Sequence, residues 1–116
     1  MRKISGGKYR KARKKKLSEL KGKERVVKLG KEKKKKIMTR GGKLKTVLLS
    51  TNKVNLFLHN KEYKVVEIKS VLETPSNKFL ARSNVLIKGA IIETAAGKAK
   101  ITNRPGQEGS VQAILI

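Results

Sequence analysis

The chain has 116 residues, room for one small domain, and carries 31 Lys and Arg against eight acidic residues, a formal net charge of +23. It has no cysteine, no aspartate and a single histidine, His59, so disulfides and thiolate metal sites are excluded and acid–base pairs have little to build on. No apolar run approaches the roughly 18 residues that cross a membrane, and no apolar stretch follows the basic N-terminus as a secretory signal requires; a soluble intracellular protein is expected.

The charge is uneven. Residues 1–45 hold 21 Lys and Arg against three Glu, a net of +18, and residues 46–116 hold 10 against five, a net of +5. Residues 1–36 read as a basic extension, disordered until a polyanion neutralises it. Gly6, Gly7, Gly22 and Gly30 interrupt any helical pattern there, apart from a possible short helix over 11–20 carrying Leu17 and Leu20.

From Ile37 the texture changes, and residues 37–116 read as a small β domain. KIMTR (36–40) leads into Gly41-Gly42, then LKTVLLST (44–51), which also fits a helical spacing through Leu44, Val47 and Leu48. VNLFLH (54–59) alternates, with Val54, Leu56 and Leu58 on one face and Asn55, Phe57 and His59 on the other. After a break at Asn60-Lys61 comes YKVVEIKSV (63–71). TPSN (74–77), Gly89 and Ala95-Ala96-Gly97 mark further turns. KAKITN (98–103) alternates with Ala99 and Ile101 on one face, and SVQAILI (110–116) reads as a paired, buried last strand. Short strands at this spacing predict an all-β fold: a small closed or nearly closed antiparallel β-barrel, since closure removes exposed edges. Between the last two strands lies RPGQEG (104–109). Pro105 presets φ for the second position of a β-turn, and a positive φ at Gly106 would make it type II.

The chemistry is that of binding. No phosphate loop or dinucleotide fingerprint is present, no nucleophile motif surrounds His59, and the glutamates read as surface charge balance. An enzyme, a cofactor and a small-molecule substrate are not expected. SGGKYRKARKKK (5–16) joins glycines, which let backbone approach a phosphate, to dense Lys and Arg, which neutralise phosphates and release counterions. The expected phosphate contacts are Lys8, Arg10, Lys11, Arg13, Lys14, Lys15 and Lys16 in the extension, and Arg40, Gly41, Gly42 and Lys43 at its root. Arg104 and Gln107 are separate candidates at a loop tip on the far end of the barrel. Only four aromatics occur, Tyr9, Phe57, Tyr63 and Phe79. With Phe57 and Phe79 assigned to the core, too few remain for a base-stacking platform, so the expected partner is a folded, phosphate-dense RNA read by shape and charge. The rival readings are a free architectural protein that coats DNA or RNA, and a peripheral membrane module, which would need an apolar helical face opposite the charge that the extension lacks.

TNRPGQEGSVQAILI, TRGGKLK and SGGKYRKARKKKLSEL together resemble the archaeal and eukaryotic small-subunit ribosomal protein family "eight-e", in its archaeal type. The family's glycine-pair basic segment corresponds to Ser5–Lys8, its RGGN-type turn to Arg40–Lys43 and its RPGQ-x-G turn to Arg104–Gly109. Lys43 stands where the family usually has asparagine, and Leu49 where many members have arginine. The resemblance implies a β-barrel with a basic extension, bound as a monomer to small-subunit ribosomal RNA beside neighbouring ribosomal proteins, in the cytoplasm, with no membrane partner.

Overall fold

A computed structural model describes residues 1–116 except Lys11, Ala12, Lys21, Lys23, His59 and Lys61. The readings of His59 and Lys11, and part of the 11–20 helix and of the Asn60-Lys61 break, lie outside the described residues. Among the described residues, eight strands and one short helix follow a 3-10 turn at Leu17–Glu19. The strands are β1 (Lys28–Leu29), β2 (Lys33–Met38), β3 (Leu44–Thr51), β4 (Lys53–Phe57), β5 (Tyr63–Glu73), β6 (Ile91–Thr94), β7 (Gly97–Ile101) and β8 (Gln112–Leu115); the helix α1 (Lys78–Arg82) lies between β5 and β6. LKTVLLST is thus a strand. No helix among the described residues is long and apolar enough to cross a membrane.

β4 to β8 close into a barrel in sequence order. Each hairpin reverses the chain, so the fifth strand runs in the direction of the first. Closure is therefore parallel, between β4 and β8, while the other four pairs are antiparallel. The alternation expected of the sequence sets the interior. Val54 and Leu56 of β4, Ile92 of β6, Ala99 and Ile101 of β7 and Ala113 of β8 are all buried. The two alanines sit opposite large partners, Ala99 beside Ile92 and Ala113 beside Leu56 and Ile101, so small and large side chains alternate around a narrow lumen. Each large aliphatic side chain so buried contributes about 1.5–3 kcal/mol.

A second sheet, ordered β1-β3-β2, leads into the barrel. A one-residue bend at Asn52 joins β3 to β4, and the buried Thr51 braces it, its hydroxyl accepting from the Lys53 N–H at 3.2 Å. The boundary expected at residue 36 falls inside β2. Val27 belongs to the hydrophobic core, and the chain around it is threaded between two walls. Lys28 and Leu29 pair in parallel with Ser50 and Thr51, the Leu29 N–H donates to the Asn84 carbonyl, and the Leu86 N–H donates to the Val27 carbonyl. Lysine density marks the exposed face of such a segment and says nothing against a strand; all four lysines of β2 are solvent-facing.

Two expectations need correction. Neither Phe57 nor Phe79 is in the core: alternation along β4 puts the half-buried Phe57 on the outer face, opposite Val54 and Leu56 and beside Tyr63. Asn77 caps α1 by accepting from the Phe79 N–H at 3.0 Å, and this short surface helix turns Leu80 and Ala81 inward, leaving Phe79 71% exposed with the Arg82 guanidinium 5.8 Å from its ring. The last strand is paired on both sides but only half of it is buried: Val111 and Ala113 point inward, while Ile114 and Ile116 face solvent.

Candidate nucleic-acid interface

The described part of the extension is held by short-range contacts. Arg2 and Lys8 bridge across a tight turn in which the Gly6 N–H donates to the Lys3 carbonyl; Gly6 closes it with φ +78°. Arg10, Lys14, Lys15 and Lys16 are exposed. Arg13 is engaged within the extension. Its guanidinium makes a forked pair with Glu19, Nη1 to Oε2 at 2.8 Å and Nη2 to Oε1 at 2.7 Å, and Glu19 also accepts from the Lys16 N–H. The Arg13 hydrogen bond, then the Lys16 amide, hold the Glu19 carboxyl below the usual carboxylate range, and the same pairing raises Arg13. A phosphate would displace one carboxylate from Arg13 rather than meet a vacant fork. Among the described residues, no hydrogen bond or ion pair joins residues 1–20 to the barrel.

Arg40, Gly41, Gly42 and Lys43 form the tip of the β2–β3 hairpin. The Gly42 N–H donates to the Thr39 carbonyl at 3.2 Å, and the Thr39 N–H to the Lys43 carbonyl at 2.8 Å. Gly41 and Gly42 have φ +86° and +80°, a backbone that a β-carbon strains, with open space around both. All four residues are exposed. The tip is thus a glycine-dependent turn that presents two cations and bare backbone.

The RPGQEG loop departs from its expected conformation and position. Gly106 does not take a positive φ. Two overlapping turns run through the loop instead, from the Gln107 N–H to the Arg104 carbonyl and from the Glu108 N–H to the Pro105 carbonyl. Glycine is needed for proximity: a β-carbon at Gly106 would lie 3.1 Å from the Arg25 carbonyl oxygen and 3.8 Å from a Val27 methyl. The loop is also not remote from the hairpin. It lies along β3, where Lys45 Nζ donates to Gln107 Oε1 at 2.8 Å, Gly109 packs on Thr46, and the Leu48 N–H donates to the Glu108 carbonyl at 3.1 Å. Gln107 therefore meets the hairpin at Lys45, and Arg104 shares a cleft with Arg25 at the root of the extension.

This junction adds residues that the sequence left unmarked. Arg25, Lys88 and Arg104, with Glu24 the one carboxylate of the described lining, surround an open cleft of about 690 Å³ floored by Leu86 and Pro105. Arg25 and Lys88 are 63 positions apart, so only pairing of Val27 with Leu86 brings them together. Lys45 was recoverable: it is the second residue after the RGGK turn, on a strand. Three surfaces thus converge on β3: the hairpin tip, the 104–109 loop and the root of the extension.

A family model described as Ribosomal protein S8e matches residues 1–116. Two curated relatives, both named small ribosomal subunit protein eS8 and both from Methanococcus maripaludis (strains C7 and C6), are 49% identical over 85 residues. The aligned stretch covers 72% of this chain and 66% of each relative, so the chain spans just under two thirds of the length of the relatives it matches.

Proposed function

From the premise that the chain belongs to the ribosomal protein S8e family, we propose that it is a structural constituent of the small ribosomal subunit, ribosome-bound in the cytoplasm as a monomer, and that it binds folded ribosomal RNA through its basic extension and the junction on β3. The family is one of ribosomal proteins, which argues against an enzyme. The observation that carries the RNA reading is the convergence along β3 of the RGGK tip, the Arg104–Gly109 loop and the root of the extension. The junction docks on a folded RNA surface, and residues 1–20 run outward between helices, where their nine Lys and Arg neutralise crowded phosphates. Neighbouring ribosomal proteins complete the surroundings.

The test is the salt dependence of binding to a folded small-subunit rRNA fragment. Removing residues 1–20, which make no described polar contact with the barrel, should weaken binding and flatten the log K against log salt slope by several units, at about 0.7–0.9 for each phosphate no longer neutralised. An unchanged slope removes the extension from the interface. Equal affinity for duplex DNA would favour a free architectural protein, as would sedimentation of the native protein away from the subunits at low salt.

A further inference from the structure

The extension and the junction leave the opposite chemistry of the barrel unused. On the outer face of β5, β4 and β8, Tyr63 pairs with Phe57 and Phe57 with Ile114 in one row; Val65 pairs with Asn55 and Asn55 with Gln112 in the next. The Phe57 and Tyr63 rings lie 5.0 Å apart, tilted by 49°. Tyr63 is 78% exposed and Val65 63%, and Ile114 also faces solvent. The hollow between the rows, about 440 Å³, is edged by Thr102 and has no carboxylate in its described lining. No described hydrogen bond engages the side-chain amides of Asn55 and Gln112. Lys100 pairs with Ile114 at the end of the first row. Glu67 lies beyond the second row, opposite Lys53 and in contact with Asn52.

We infer that this face is a stacking platform for an unpaired RNA nucleotide: the base lies on Tyr63 against Ile114, its edge meets the free amides of Asn55 and Gln112, and Lys100 faces its phosphate. Two observations favour a base over a protein neighbour. Apolar surface is interleaved with unengaged donors and acceptors at strand spacing, which suits a flat ring with a polar edge. The flanking charge is net positive, Lys100 and Lys53 against Glu67, in a chain of net +23, which suits a polyanion. Duplex RNA hides its base faces and cannot use the platform. The inference rests on the RNA reading above but concerns a different face of the molecule, so the two fail separately.

The experiment uses the full chain carrying Tyr9→Phe, in which Tyr63 is the one remaining tyrosine and, with no tryptophan in the sequence, the source of the emission excited above the phenylalanine absorption band. Titration with a single-stranded RNA oligonucleotide should quench Tyr63 emission, and a hairpin duplex of the same length should not. Tyr63→Ala in the parent chain should lower affinity for the oligonucleotide roughly 5- to 100-fold, with duplex affinity and salt slope unchanged. Tyr63→Phe should retain binding, because the ring and not the hydroxyl stacks. Unquenched Tyr63 overturns the inference, as does Tyr63→Ala that binds the oligonucleotide like the parent. Tyr63→Ala that keeps oligonucleotide binding but fails to join the subunit also overturns it and assigns the face to a protein neighbour.

Discussion

Asn84 ties three parts of the chain together. It has φ +49°, the one described non-glycine residue in the left-handed region, which asparagine tolerates better than most. Its carbonyl accepts from the Leu29 N–H at 3.0 Å, anchoring β1, and its Oδ1 accepts from the N–H of Val71 at 3.2 Å, where β5 is irregular. Asn84→Ala should therefore destabilise the fold by about 2–4 kcal/mol, combining left-handed strain of about 1–2 kcal/mol with the loss of an acceptor for a buried donor. The denaturant midpoint measures this, and Asn84→Asp, which keeps an acceptor, should recover part of it. Nothing in RSNV marks this role, since both partners of Asn84 are remote in sequence. By contrast, Val54 and Leu56 were legible as interior residues, because alternation along one strand is a local property.

At the scale of elements, the two glycine turns look alike in sequence and differ in cause. Gly41 is required by its own backbone: φ is +86° and nothing stands within 4 Å of a β-carbon there. Gly106 is required by a neighbour, the Arg25 carbonyl. Gly106→Ala should destabilise by about 1–3 kcal/mol, the usual range for an overpacked contact, and its NMR shift changes should extend to Arg25–Val27. Those of Gly41→Ala should stay within residues 39–43. The turn in RPGQEG was legible from Pro105, but its type was not, because turn residues report local φ preferences and the packing partner lies some 80 positions away. Phe79 failed for a related reason. Aromatic character predicts burial on average, yet Asn77 starts a helix whose phase turns that ring outward.

The whole molecule is elongated, with a radius of gyration of 18.9 Å against about 13 Å for a compact domain of this length. The fold begins where tertiary hydrogen bonds begin. Amides of Leu29 and Gly30, which donate to Asn84 and Thr51, should be protected from hydrogen exchange in the free protein. Amides before Val27 should exchange quickly and slow on binding folded rRNA. Protection of residues 1–20 without RNA would contradict the proposal that the extension acquires its path on binding. Alternation, turn residues and summed charge determined the all-β class and the strongly basic character of residues 1–45, because each is a local or additive property of the chain. Tertiary structure alone decided that the closing strand pair is parallel, that Val27 and the lysines of β2 belong to the folded body, and that Lys45 meets Gln107 across 62 positions. Register and closure are set by packing among distant segments, and no local preference encodes them.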